Sequence, residues 1–290
     1  MGTALVNEEY IVRLAAAIRR KNGKTTNYEL DQMPQAILDF PTDGSLEIDD
    51  GFIDIVTNNV VNFNDDEIVT VKDCALRERS LLETVELNYC TSVGYASFQD
   101  CLNLVSAILP ACKSIGNDAF RNCNQLESVR ASLCTSVGDY TFDRCVKLND
   151  FTTGNVKSCG HYAFRDTKIT SFISSGSGNY TFGSYCFSGC NDLTTVDIGG
   201  NLDHQYIYNT SFRNCANLES FTIRGSLPLH YFLPSGYFVG TKIADGSGFI
   251  YVREDLVDAY KALPGYDEYA SQIVAIPYVP PEPEPENGGV

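Results

Sequence analysis

Imidazole chemistry has little to work with in this chain. Its three histidines, His161, His204 and His230, stand far apart, and none has the close pairing that puts two ring nitrogens on one metal. Cys159-Gly160-His161 sets a thiol two residues from an imidazole, the raw material of a thiolate nucleophile and its base. Cys159, however, falls where neighbouring repeats carry valine or isoleucine, so it reads as a core residue. The oxygen-rich run Asn62, Asn64, Asp65, Asp66 and Glu67 lacks the spacing and central glycine of a calcium-binding EF-hand loop and reads as solvated loop. No Walker loop or G-x-S-x-G elbow occurs, and the glycines of 175–178 open no phosphate-binding helix. The sequons Asn179-Tyr180-Thr181 and Asn209-Thr210-Ser211 carry little weight without a secretory signal. The expectation is a chain that is not an enzyme and takes neither cofactor nor metal. Binding chemistry is better represented. His204, Tyr206, Tyr208, His230, Tyr231, Phe232 and Tyr237 bring aromatic faces together with polar tips, which suits contact with carbohydrate or protein. The same side chains serve equally well as fillers of wide coils.

What must position all of these is a repeat. Phe98, Phe120 and Phe142 fall 22 residues apart, as do Cys101, Cys123 and Cys145, and Leu104, Leu126 and Leu148. A fixed period of this length marks a solenoid, in which each unit buries its apolar face only by stacking on its neighbours. Leu76 opens the series, and Phe164, Phe187, Phe212 and Phe238 continue it, for about eight copies. Leu193, Val196, Ile198 and their counterparts Leu218, Phe221, Ile223 form a short strand with alternate residues inward. Between them Thr84/Glu86, Ser106/Ile108, Ser128/Arg130, Asp150/Thr152, Ser171/Ile173, Thr195/Asp197 and Ser220/Thr222 face outward, a flat surface of small hydroxyls with occasional charges. A Ser-Val-Gly or Ser-Ile-Gly triplet then turns the chain, with Val93, Ile115 and Val137 inward and Gly94, Gly116 and Gly138 free to take positive φ. The phenylalanine follows on a short helical turn. Two copies, FRDTKI at 164–169 and FVGTKI at 238–243, replace the cysteine by threonine and lose one residue. Eleven cysteines, odd in number and mostly locked to the repeat, are expected to be reduced and buried as small hydrophobes.

Around the repeat the chain divides into a helical docking segment at 1–40, a β-rich cap at 41–75, the solenoid at 76–250, a C-terminal cap at 251–276 and a Pro/Glu-rich tail at 277–290. Asn7 caps the first helix, with Glu8 and Glu9 in its first turn and Arg19, Arg20 and Lys21 in its last. With 21 basic against 37 acidic residues the net charge is −16, which argues against a nucleic-acid backbone or an anionic membrane as partner. No run approaches a membrane span. The opening MGTALVNEEY has no basic and apolar leader, so synthesis and folding in cytosol are expected.

The pattern carried by Ala119, Phe120, Cys123, Leu126 and Val129, repeated over 76–252, resembles the BspA-type leucine-rich repeat of bacterial surface and phage proteins. That resemblance implies a mainly β fold with short helical turns: a leucine-rich-repeat solenoid with a small N-terminal helical segment and a C-terminal capping helix. The first copy departs from it, with Leu76 and Arg79 for Phe and Cys, and the units between 180 and 239 stretch beyond 22 residues. The ends carry a second resemblance. Ala17-Ile18-Arg19, Lys21-Asn22-Gly23-Lys24-Thr25 and Gln32-Met33-Pro34-Gln35-Ala36-Ile37 are similar to an opening segment of tail-associated and other virion proteins of phages that infect Gram-positive gut bacteria. The closing stretch 250–276 resembles the terminal unit of the same proteins. This implies a tail- or fibre-associated structural protein located in the virion. Its N-terminal helices would meet other virion proteins, its solenoid a host surface protein, a carbohydrate or a neighbouring subunit, with several copies in the particle as a homo-oligomer. The alternative is a bacterial cell-surface adhesin, which calls for a signal peptide or anchoring motif.

Overall fold

The structure, a computed structural model, describes residues 47–48, 62–64, 68–153, 155–202, 210–226 and 236–276. The helices expected at 1–40, most of the first part (41–67) of the cap expected at 41–75, and the tail at 277–290 lie outside the described residues.

Within them the chain winds as a coil of short parallel strands. One sheet has eight strands: Glu47–Ile48, Thr70–Val71, Ser92–Val93, Ser114–Ile115, Ser136–Val137, Ser158–Cys159, Asn179–Phe182 and Asn201–Leu202. A second holds Asn62–Asn64, Thr84–Glu86, Ser106–Ile108, Ser128–Arg130 and Asp150–Thr152. A third holds Ser171–Ser174, Thr195–Ile198, Ser220–Ile223, Phe249–Arg253 and Ile273–Ile276. Register follows the repeat: Thr70 pairs Ser92, Ser92 pairs Ser114, and Ser114 pairs Ser136. Asn62–Asn64 pairs with Thr84–Glu86 in the same parallel register. The ladder therefore runs upstream of the boundary expected at Leu76.

The core is the set of repeat columns. Phe98, Phe120, Phe142, Phe164, Phe187 and Phe212 are fully buried. Successive rings stack with centroids 4.9, 5.4, 5.2, 5.2 and 5.1 Å apart, close to the spacing that parallel hydrogen bonding sets between strands. All eleven cysteines are unpaired thiols, ten of them buried and Cys74 partly so. They do more than fill space. Cys101, Cys123 and Cys145 donate S–H to the carbonyls of Leu76, Phe98 and Phe120 one coil back, at 3.0, 3.0 and 3.1 Å. In the shortened copies Thr167 and Thr241 turn this bond inward, donating to Phe164 and Phe238 of their own coil at 2.9 and 2.7 Å. The second sheet ends at Asp150–Thr152 and the third begins at Ser171–Ser174, on either side of the first shortened copy.

Two local expectations are corrected. The segment around each phenylalanine is a run of tight turns and contains no helix among the described residues. It carries left-handed backbone on both sides of the ring: Ala96 and Asp100 about Phe98 lie at φ 50° and 60°, and Tyr140 and Arg144 about Phe142 at 55° and 62°. That conformation aims amides along the solenoid, so Phe98, Phe120 and Phe142 donate N–H to Ala119, Thr141 and Ala163 of the next coil at 2.7, 2.9 and 2.7 Å. The turns thus form a hydrogen-bonded ladder of their own, satisfying buried amides that a loop would leave open. The triplet glycines, by contrast, are not at positive φ. Gly116 is required because a Cβ there would lie 2.8 Å from the backbone carbon of Gly94. Close approach between coils, not a left-handed turn, selects glycine in this column.

The C-terminal unit is fuller than a capping helix. Phe249–Arg253 leads through a 3-10 turn, Glu254–Leu256, into a five-residue α-helix, Val257–Lys261, and returns as Ile273–Ile276. That strand pairs in parallel with Phe249–Arg253, which makes this unit the last coil among the described residues. Tyr260 is buried beneath the helix and donates its hydroxyl to the Ser226 carbonyl at 3.1 Å.

Candidate functional site

Most of the expected aromatic site, Tyr206, Tyr208, His230, Tyr231 and Phe232 with His204, lies outside the described residues. Tyr237 is described and is a core residue: fully buried, its ring 4.9 Å from Phe238 and 5.6 Å from Phe212. Its position immediately before the phenylalanine carries Ala119, Thr141, Ala163 and Ser211 in other coils, so it fills a wide coil and offers no face to a ligand. Burial pushes its hydroxyl well above the ordinary phenol range. Cys159 is buried as well, in register with Val137 and Phe182, as its column implied. No group of three or more His, Cys, Asp or Glu side chains able to hold a metal occurs among the described residues.

A different column gathers the polar groups. In several coils the residue after the turn glycine has its main-chain N–H accepted by a side chain one coil back. Asp73 takes the N–H of Tyr95 at 2.6 Å, Asn117 that of Asp139 at 2.8 Å and Asp139 that of His161 at 2.7 Å. His161 continues the series through Nδ1, which accepts from Ser184 N–H at 2.9 Å. This bond assigns the proton of the neutral ring to Nε2. It also holds the imidazole as a structural acceptor, removing it from the role of base to Cys159. Beside this column opens a cleft of about 310 Å³ lined by Asp139, Ser158, Gly160, His161, Thr181 and Gly183, with Cys159 and Phe182 in its wall. The glycine floor follows from the coil-to-coil approach described above.

Next in sequence to the cleft residues stand three tyrosines, each two positions before its phenylalanine. Tyr140, Tyr162 and Tyr185 are half-buried and stack nearly parallel, with centroids 4.9 and 5.0 Å apart at interplanar angles of 11° and 9°. All three hold left-handed backbone, φ 55°, 58° and 57°, a conformation that costs a bulky residue energy and persists only when its surroundings enforce it. The ladder bonds and the ring stacking are those surroundings. Arginines brace the stack: the guanidinium carbon of Arg121 lies 5.1 Å from the Tyr140 centroid and that of Arg165 lies 4.6 Å from the Tyr162 centroid, cation–π contacts worth about 0.5–2 kcal/mol each. Between the arginines sits the fully buried carboxylate of Asp143. It receives Arg165 Nε and Nη2 at 2.7 and 2.9 Å, with Arg121 Nε 3.5 Å away. Arg121 Nη1 also bonds Asp118 at 3.0 Å. The paired carboxylate raises the Arg165 guanidinium above its usual range, first through its hydrogen bond. Sequence reasoning missed this strip, although a signal was present: Gly-x-Tyr recurs at 138–140, 160–162 and 183–185.

The outer sheet face is plainer. Its expected outward residues are mostly half-exposed, Ile173 is 55% and Phe249 40% exposed, and Arg224 clasps Asp197 through two bonds of 2.8 and 2.6 Å.

Comparison with known proteins places the repeat. The model of the BspA type leucine rich repeat region matches in six copies, over residues 52–152 and 113–232, together more than half of the chain. Among solved structures the chain is similar to a leucine rich repeat protein of T. pallidum, with 24% identity over 52% of this chain and 72% of that one and a TM-score of 0.44. It is also similar to a leucine rich cell surface protein of Faecalibacterium prausnitzii A2-165, at 16% identity over 74% and 84% of the two chains and a TM-score of 0.35. For the pneumococcal vaccine antigen PcpA the figures are 12%, 73%, 78% and 0.29. No curated protein matches the sequence. The mainly β solenoid of parallel coils and the six matched repeats make this chain a member of the BspA-type leucine-rich-repeat family.

Proposed function

We propose that the protein is a non-enzymatic attachment module of a phage particle, tail- or fibre-associated. In this reading the N-terminal segment docks on other virion proteins, and the solenoid contacts the host surface or a neighbouring subunit, in several copies per particle. The observation that carries the binding role is the use made of reactive groups. The described thiols are spent on packing and on carbonyl bonds between coils, and His161 on a backbone amide, while the outer surface repeats small polar and aromatic side chains in straight rows. Such rows are what stacked repeats use for binding. The particle as carrier rests on the end segments at 17–37 and 250–276. The repeat alone supports equally a leucine-rich-repeat adhesin of a bacterial cell surface, and that is the second reading. Mass spectrometry of purified particles separates them. The proposal expects this chain at stoichiometric abundance in virions; its absence there, with recovery in a bacterial surface fraction, overturns the virion reading in favour of the second. A screen of sugar-polymer hydrolysis with the purified chain tests the non-enzymatic character, and turnover above background ends it.

A further inference from the structure

The tyrosine stack and the cleft occupy the same three coils, Tyr140 following Asp139 and Tyr162 following His161 in the chain, and their chemistry restricts what they can hold. Charge is the first restriction. Arg121 and Arg165 are matched by Asp118 and Asp143 at 3.5 Å or less, so the two arginines have no spare positive charge to offer an anion. The chain as a whole, at −16, repels polyanions. Polarity is the second. The cleft wall mixes the Asp139 carboxylate and the Ser158 and Thr181 hydroxyls with the His161 imidazole, a set that both donates and accepts and suits a hydroxyl-bearing occupant better than a purely apolar one. Spacing is the third. The tyrosine rings cover one another's faces, with centroids 4.9 and 5.0 Å apart along the solenoid, so a ligand meets a row of ring edges. A single small molecule uses one rung of such a row; a regular polymer laid along the axis uses every rung.

We propose that the strip formed by Tyr140, Tyr162 and Tyr185 with the Asp139–His161 cleft is a binding site for a neutral polysaccharide lying parallel to the solenoid axis. This deepens the attachment reading and rests on it. The hydroxyls of the polymer exchange hydrogen bonds with the cleft, and its apolar C–H faces lie along the aromatic row. Preorganisation comes from the fold: the cleft residues are already fixed by the amide ladder, and the tyrosines by stacking and by the arginines, so little side-chain freedom remains to be lost on binding.

The test uses the full chain in affinity electrophoresis through gels containing dextran, mixed-linkage β-glucan, galactomannan or the neutral polysaccharide fraction of Gram-positive gut bacterial walls, with polygalacturonate as the charged control. The site predicts retardation by at least one neutral polymer and none by polygalacturonate. For that polymer, Tyr162→Ala and Asp139→Asn each weaken binding about ten-fold or more. Asparagine already occupies the Asp139 column at Asn117, where its Oδ1 accepts the equivalent amide, that of Asp139, so Asp139→Asn keeps the ladder bond to His161 N–H and alters the cleft alone. Melting curves of both variants serve as the folding control, and Tyr162→Phe, which retains the stack, is expected to bind more tightly than Tyr162→Ala. No retardation by any neutral polymer overturns the inference, as does retardation that both variants leave unchanged or stronger binding to polygalacturonate. If those negative results accompany recovery of the chain in virions, the site falls and the attachment reading stands. If the polymer binds as expected but the chain is absent from virions, the site stands and the carrier is the second reading.

Discussion

At the scale of single residues, the cysteines define the behaviour of the core. Burial pushes the thiols of Cys101, Cys134 and Cys190 up to about 12, and those of Cys123 and Cys215 well above the ordinary thiol range for the same reason. An unfolded thiol ionises near pH ~8.5. Between that value and about 12 the folded chain therefore holds protons that the unfolded chain has released, and stability falls as pH rises. Each such thiol contributes about 1.4 kcal/mol per pH unit across the window. Urea unfolding followed by circular dichroism should give a midpoint that is level from pH 7 to 8 and drops steeply by pH 10. A midpoint unchanged to pH 10 would mean that the thiols are not buried as described. The burial of these residues was readable from the repeat, because a small apolar side chain recurring at one register position has to face the neighbouring coils. Their bonds to carbonyls one coil away were not, since nothing in the sequence says which acceptor lies above a given sulfur. The same gap hid the tyrosine stack: Gly-x-Tyr two positions before the phenylalanine was visible three times, but contact between the rings depends on coils that are neighbours only in space.

At the scale of elements, the coil was legible and its turns were not. Alternation in Leu193–Ile198 and its counterparts located the strands, and the parallel register followed from the period. The turns defeat local propensity. Arg144 at φ 62° and the three stacked tyrosines adopt backbone that their own preferences disfavour, because inter-coil hydrogen bonds and stacking outweigh that preference. Glycine was misassigned for a related reason: its requirement in the triplet comes from the coil beneath. The two kinds of glycine separate experimentally. At Gly116 an added Cβ meets backbone at 2.8 Å, so Gly116→Ala must push adjacent coils apart, at about 1–3 kcal/mol. Gly189, at φ 77°, shares a column with Asn122 and Asn214, both at 61°, so Gly189→Asn should cost less than about 1 kcal/mol, in the range of a tolerated left-handed asparagine. Thermal unfolding of the two variants checks the contrast. Equal losses would refute close approach as the reason for glycine in the triplet.

At the scale of the molecule, stability is shared between neighbours, as in any stacked repeat. Removing residues 92–113 joins Thr91 to Ser114, which stands one full period beyond Ser92. That deletion should leave a folded protein with one coil fewer, a modestly lower melting temperature and an unchanged circular-dichroism signal per residue. Removing only 92–102 should abolish cooperative unfolding, because the columns on either side no longer meet. What the whole molecule does with its rows of exposed groups is the central proposal: that it holds a surface and leaves it chemically intact. The most direct measurement is an equilibrium isotherm of the fluorescently labelled chain on intact Gram-positive gut bacteria, with the chain length of the wall polymer measured before and after. The account predicts saturable, reversible retention and a polymer of unaltered length. Absence of saturable retention, or a shortened polymer, would contradict it.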